Sequence, residues 1–267
     1  MPEVVVAGAA GRMGRTLVAC LQDASDLSLV GALERPGHPA VGKDAGEVAG
    51  VGRRGVNITD DPTSLLTRDR TLVEFSIPEA SLGHLRLVAR TGARAVVGTT
   101  GFSQAEREEI QALARQIPIM LSPNMSVGVN LALKLLAQMA VTLGDEYDVE
   151  ITEIHHRGKK DAPSGTALQM AETIAHALGR DLGRVAVYGR RGLTGERTAR
   201  EIGIQSLRAG DVVGEHTVVF GGLGERLELT HRVGSRDTFA RGALRAVRFI
   251  ATAPAGLYSM QDVLGLK

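Results

Sequence analysis

Short runs of β-branched and aliphatic residues recur through the first half of the chain, separated by segments whose apolar positions fall three and four apart. Residues 4–7, 27–33, 71–76, 93–98 and 117–121 read as strands, and 12–23, 79–91 and 103–116 as helices. Ser103 with Glu106 has the spacing of a capping box at the start of the third helix. This alternation predicts parallel strands joined by crossover helices, an α/β doubly wound sheet. Residues 35–54, with glycines at 37, 42, 46, 50 and 52 and prolines at 36 and 39, predict a long loop or flap.

After residue 123 the rhythm changes. A long apolar helix is expected over 127–143, then a strand over 147–156 that delivers His155 and His156, then a helix over 164–178 ended by Gly179. Residues 184–188, 200–208, 215–220 and 226–232 read as further strands, with no helix among the last three, so the second sheet should be antiparallel or mixed. A final helix, 238–252, has one apolar face and is expected to return to the first domain. The predicted division is 1–124 plus 239–267 for one domain and 125–238 for an α+β second, with hinges near Met125 and Thr238.

Composition narrows the classes of function. The chain of 267 residues is 43% hydrophobic and 23% charged, carries a formal charge of +1, and has five Phe, three Tyr and no Trp. Neither a basic field nor a set of stacking platforms is available, so nucleic acid is not an expected partner. The lone Cys20 cannot form an internal disulfide and reads as a small buried hydrophobe. No unbroken apolar run reaches the roughly 20 residues that cross a bilayer, and the N-terminal stretch has no basic region followed by an apolar core. The expectation is a cytoplasmic protein with no membrane partner.

The first strand breaks into Gly8-Ala9-Ala10-Gly11-Arg12-Met13-Gly14 and then a helix. Glycines there let backbone approach a pyrophosphate, and the helix start presents free N–H groups to it. The spacing is G-x-x-G-x-x-G rather than G-x-G-x-x-G, but Glu34 ends the second strand about 20 residues later, where a carboxylate holds a ribose 2′-hydroxyl. Arg12 and Arg35 are equally placed to meet a 2′-phosphate, so the pattern admits NADH or NADPH. Two loops after later strands, Gly98-Thr99-Thr100-Gly101 and Ser122-Pro123-Asn124-Met125, fall at the carboxyl edge of the same sheet and should face the cofactor. A Rossmann-like domain is the reading.

A second constellation is His155-His156-Arg157-Gly158-Lys159-Lys160-Asp161-Ala162-Pro163-Ser164-Gly165-Thr166. Pro163 suits a first helical turn, so a helix should start at Pro163 or Ser164 with the N–H groups of Ser164, Gly165 and Thr166 open to an anion. The Ser and Thr hydroxyls add donors, and the cations before them make a carboxylate the natural guest. Histidine exchanges protons near neutrality, and a lysine among cations has a lowered pKa and can act as an acid. A metal site fits poorly: adjacent histidines on an extended segment point to opposite faces, and neither cysteines nor H-E-x-x-H accompany them. A Ser164 nucleophile lacks a G-x-S-x-G elbow. Two other readings stay open: a nicotinamide enzyme acting on an acyclic amino or keto acid, and a cofactor sensor without catalysis.

These segments resemble the 4-hydroxy-tetrahydrodipicolinate (dihydrodipicolinate) reductases of the diaminopimelate route to lysine, and the resemblance spans essentially the whole chain. It includes Gly8 to Gly14, Glu34, Glu74-Phe75-Ser76-Ile77-Pro78-Glu79, the Gly98 and Ser122 loops, Gly210-Asp211-Val212-Val213-Gly214-Glu215-His216-Thr217 and, most specifically, His155 to Ala167. The resemblance implies a proton donor or acceptor at His155 and a second donor at Lys159, with His156, Gly165 and Thr166 on the substrate carboxylates. It implies cofactor contacts from Gly8, Ala9, Ala10, Gly11, Arg12 and Met13, from Glu34 and Arg35, from Gly98, Thr99 and Thr100, and from Ser122, Pro123, Asn124 and Met125. It further implies a small dicarboxylate substrate and a homotetramer built through the second domain; closure between the domains is expected to exclude water. Lys160 falls at a variable position and reads as a solvated cation.

Overall fold

The computed structural model describes residues 1–266; Lys267, the last residue of the expected first domain, lies outside them. The chain forms two compact units, Met1–Val127 together with the chain from Arg236 onward, and Gly128–Ser235.

In the first unit the elements run β1 (Glu3–Ala7), α1 (Arg12–Gln22), β2 (Ser28–Leu33), α2 (Ala45–Ala49), β3 (Ile58–Thr59), β4 (Arg70–Glu74), α3 (Pro78–Thr91), β5 (Arg94–Val97), α4 (Gln104–Leu113) and β6 (Pro118–Leu121). In the second unit follow α5 (Val127–Leu143, its first residue still in the first unit), a 3-10 turn (Gly144–Glu146), β7 (Asp148–His155), α6 (Gly165–Ala177), α7 (Leu182–Val185), β8 (Ala186–Tyr188), β9 (Ile202–Arg208), β10 (Gly214–Gly221) and β11 (Arg226–Val233). The chain ends in the first unit with α8 (Asp237–Ile250), β12 (Gly256–Tyr258) and α9 (Met260–Leu264).

The first sheet is wholly parallel, in the order β12-β6-β5-β4-β1-β2-β3, which is the doubly wound arrangement with its switch point at β1. Strand alternation divides β1 between two cores. Val4 and Val6 pack with Leu17, Leu21, Ala243 and Val247 of α1 and α8, whereas Val5 and Ala7 pack with Leu82, Leu85 and Ile110 of α3 and α4. The capping box at Ser103 and Glu106 forms as its spacing requires.

The second sheet, β11-β10-β7-β9-β8, is mixed: β10 is antiparallel to both β7 and β11, while β9 is parallel to β7 and β8. Val149 and Ile151 of β7 bury one face against α5 and α6, packing with Leu133, Leu136, Met170 and Ile174. Helix and turn from Val127 to Glu146 are long and apolar enough by length and composition to cross a membrane. The expectation of no such stretch therefore holds only for unbroken runs, since Asn130, Lys134 and Gln138 interrupt this one. One face, with Val129, Ala132, Leu133, Leu136 and Ala140, lies in the second unit's core.

Three local expectations need correction. The strand expected over 184–188 begins as the helical turn α7, because Asp181 caps it by accepting the Gly183 N–H at 3.0 Å. Residues 35–54 are not all loop: Asp44 accepts N–H groups from Gly46, Glu47, Arg54 and Gly55 at 2.6–3.2 Å, which starts α2 and gathers the flap around one carboxylate. The helix expected to start at Pro163 or Ser164 starts at Gly165, because the Ser164 Oγ accepts the Ala167 N–H at 3.2 Å and makes Ser164 the N-cap. The short β12 and α9 have no counterpart in the expected pattern.

Candidate functional site

The glycine turn between β1 and α1 is shaped by contacts that side chains would prevent. Gly8 has φ of +64°, in the region that favours glycine, and a Cβ on Gly14 would lie 2.1 Å from the Gly8 carbonyl oxygen. The Gly11 N–H donates to that same carbonyl at 2.9 Å. Glu34, at the end of β2, accepts the Ala10 N–H on Oε1 at 2.9 Å. Arg12 and Arg35 are exposed beside the turn and Met13 is half-buried. A cleft of about 380 Å³ opens there, lined by Gly8, Glu34, Arg35, Ser76, Ile77 and His84 among others.

The two further loops sit at the carboxyl ends of β5 and β6. Gly98 lies against the Phe75 ring, which an added Cβ would meet at 2.1 Å and displace. Thr99 is buried, its hydroxyl 2.7 Å from that of Ser81, while Thr100 is exposed. The Ser122 hydroxyl donates to the Asn124 carbonyl at 2.8 Å, Pro123 is exposed, and Met125 is buried with its carbonyl where a Cβ on Gly242 would fall. Sequence reasoning assigned no role to Glu74, whose fully buried carboxylate accepts the Ser76 N–H at 3.0 Å and meets His84 Nδ1 at 2.6 Å. These residues fit a dinucleotide: a backbone cradle, an acid at the second strand end and an adjoining cleft.

In the second unit β7 ends in Glu153 and His155 on the face that also carries Val149 and Ile151, so the strand passes from apolar core to ionisable site within one alternation. His155 Nδ1 lies 2.5 Å from Glu153 Oε2, and Arg208 Nη1 lies 3.0 Å from both Glu153 oxygens. Burial opposes ionisation of Glu153 more than any other single influence, but the hydrogen bonds from His155, Ser206 and Arg208 together hold its carboxyl below the usual range. His216, opposite Glu153 on β10, packs edge-on to His155 with ring centroids 5.2 Å apart. Burial first, and the neighbouring His155 second, push His216 down to about 4.

The loop after β7 carries the remaining candidates. Lys159 Nζ donates to both carboxylate oxygens of Asp161 at 2.8 Å, and that contact holds Asp161 below the usual carboxylate range. His156 is half-buried and its carbonyl accepts the Lys159 N–H at 3.1 Å; Lys160 is exposed. Gly165 is exposed on the first turn of α6, with Thr166 half-buried after it. Ser164 is only 2% exposed, donates its N–H to Glu153 Oε1 at 3.3 Å, and has its hydroxyl 3.0 Å from His216 Nε2, so both groups are turned inward. Glu153 and Arg208 have no place in the sequence reading, and His216 enters it only within the Gly210 to Thr217 motif, without a role; the Glu-x-His alternation on one strand face is the signal that could have found Glu153. Among the described residues no group of His, Cys, Asp and Glu could hold a metal.

The first unit thus presents a glycine-rich backbone turn beside an acid, and the second an exposed helix start next to histidines and lysines. The chain matches the family model "Dihydrodipicolinate reductase, N-terminus" over residues 2–125 and "Dihydrodipicolinate reductase, C-terminus" over 128–264. It is 52% identical over 267 residues, all of both chains, to a 4-hydroxy-tetrahydrodipicolinate reductase of Citrifermentans bemidjiense, and 51% identical over the same span to one of Syntrophus aciditrophicus. A dipicolinate-bound dihydrodipicolinate reductase from Paenisporosarcina sp. TG-14 shares the fold, with a TM-score of 0.78, 23% identity and 98% of each chain covered. An amine dehydrogenase from Mycobacterium smegmatis is similar in fold at a TM-score of 0.59 and 17% identity, over 97% of this chain and 94% of that one. The two matched models and the relatives of equal length agree: the chain belongs to the dihydrodipicolinate reductase family.

Proposed function

We propose that this chain reduces 4-hydroxy-tetrahydrodipicolinate to tetrahydrodipicolinate with NADH or NADPH, in the diaminopimelate route to lysine. The reaction consumes the reduced nicotinamide and one proton and releases water with the oxidised cofactor. The observation that carries this reading is the segment from His155 to Thr166, where two proton-exchanging side chains adjoin the exposed start of α6.

The nicotinamide, when bound, supplies the hydride. The turn from Gly8 to Met13 receives the pyrophosphate, Glu34 the ribose 2′-hydroxyl and Arg35 a 2′-phosphate, while the Gly98 to Thr100 and Ser122 to Met125 loops orient the nicotinamide end. The helix start at Gly165 and Thr166 holds one substrate carboxylate through its backbone donors and dipole, and His156 assists. Lys159 releases Asp161 and gives the proton that accompanies the hydride; His155 exchanges a proton at its second ring nitrogen.

We place the contacts of a homotetramer on the second unit, where Leu131, Leu135, Val141 and Leu227 are exposed. Light scattering of the purified protein tests this. The reductase reading is tested by the loss of reduced-nicotinamide absorbance on adding the fresh condensation product of pyruvate and aspartate semialdehyde. Rapid loss that needs both condensation partners is expected; measurable cofactor binding with no such loss would overturn the substrate.

A further inference from the structure

Glu153 takes no part in the steps above, yet donors from four residues, His155, Ser164, Ser206 and Arg208, converge on it. It precedes His155 by two residues, so both side chains lie on the helix-covered face of β7. Its carboxylate is wholly buried, and Arg208, His155 Nδ1 and the Ser164 N–H all meet it. Arg208 is fixed in turn by Nη2 donating to the Asp161 carbonyl at 2.6 Å.

A guanidinium at 3.0 Å from both oxygens keeps a buried carboxyl ionised. An ionised carboxylate only accepts hydrogen bonds, so the contact with His155 is an N–H donated by Nδ1. Nε2 is then the nitrogen left to exchange a proton. It lies 3.1 Å from the place a Cβ on Gly214 would occupy, so the glycine at the start of β10 leaves room beside it.

We propose that Glu153 is the positioning residue of the reductase site: held ionised by Arg208, it fixes His155 in the Nδ1–H form and ties the start of α6 to the same carboxylate. This rests on the reductase reading for its consequence in turnover, but the state of His155 is independent of any substrate. Proton donor and anion-binding helix start are thereby set in one register, since His155 and the Ser164 N–H share one acceptor group. Replacing Glu153 by glutamine leaves an oxygen for Arg208 and Ser164 and turns an NH2 toward Nδ1, which favours the opposite tautomer.

The test is nitrogen-15 NMR of the histidines in the full protein at about pH 9, where an imidazole is neutral, with the His155 signals assigned by their loss in His155→Asn. Wild type is expected to carry the His155 proton on Nδ1. In Glu153→Gln the proton should move to Nε2 and kcat should fall about 100-fold or more, with the KM for the dicarboxylate within about 3-fold. Glu153→Asp, which keeps the charge, should recover at least about 10-fold of the loss. An Nε2–H tautomer in wild type overturns the proposal even if no variant folds. So does a folded Glu153→Gln with unchanged tautomer and kcat, or one in which only KM rises. Absence of turnover in wild type with His155 in the Nδ1–H form would instead strike the reductase reading and leave this arrangement standing.

Discussion

Glu34 Oε1 accepts the Ala10 N–H at 2.9 Å, so the acid that ends β2 is hydrogen-bonded to the glycine turn that follows β1. A carboxylate at this place accepts a ribose hydroxyl and repels a 2′-phosphate. Glu34→Ala should therefore raise the KM for NADH about 10-fold or more, the scale of a lost charged hydrogen bond, and raise that for NADPH much less. Paired initial-rate measurements check this; equal changes for the two cofactors would contradict it.

Gly14 packs its α-carbon against the turn so closely that a methyl group would meet the Gly8 carbonyl oxygen and the Ala9 α-carbon. Both obstacles are backbone and cannot rotate away. Gly14→Ala should displace α1 from the turn, lower the melting temperature by several degrees and weaken cofactor binding at least about 10-fold. Calorimetry with and without NADPH reads both effects. Wild-type affinity in the variant would contradict the close approach.

His216 should make the protein sensitive to mild acid. Its folded value of about 4 lies below the 6.5 of a free histidine, so between those pH values the unfolded chain binds a proton that the folded chain excludes. Stability from this group is complete above about pH 6.5 and is lost as pH falls toward 4, amounting to about 3 kcal/mol. Glu153, whose folded carboxyl lies below its ordinary 4.5, adds a further loss at lower pH. Urea unfolding from pH 7 to 4 should show a shallower slope in His216→Gln than in wild type, and identical slopes would contradict the assignment.

Lys159 is bound to Asp161, whose side chain is 65% exposed. Such a pair contributes little to stability. Lys159→Ala should keep its melting temperature within about 3 °C of wild type while kcat falls about 100-fold or more, as the loss of a proton donor requires. Parallel melting and rate curves would separate the two roles.

The first unit was legible in the sequence because its strands are buried on both faces and its turn chemistry is local. Val4 to Ala7 followed at once by the glycine turn specifies strand, turn and helix start without reference to distant residues. The same holds for the segment from His155 to Thr166. What sequence could not supply were groups brought together by strand pairing or by a helix packing on a strand end: Arg208 reaches Glu153 from β9, His216 faces it from β10, and His84 of α3 meets Glu74 at the end of β4. The flap after β2 was misread because one carboxylate, Asp44, organises it through N–H groups up to eleven residues away. Ser164 was read as an open donor, while the structure turns its N–H and hydroxyl inward to Glu153 and His216.

Following the transferred hydrogen decides whether the cyclic dicarboxylate is what this chain reduces. Purified protein is given nicotinamide cofactor deuterated at the transferable position, together with the fresh condensation product, and the cyclic dicarboxylate product is isolated and weighed by mass spectrometry. One deuterium per product molecule is expected, in proportion to cofactor oxidised, and Lys159→Ala should form product with the same deuterium content about 100-fold or more slowly. Cofactor oxidised without deuterium in that product, or no oxidation with either cofactor, would contradict the reductase reading.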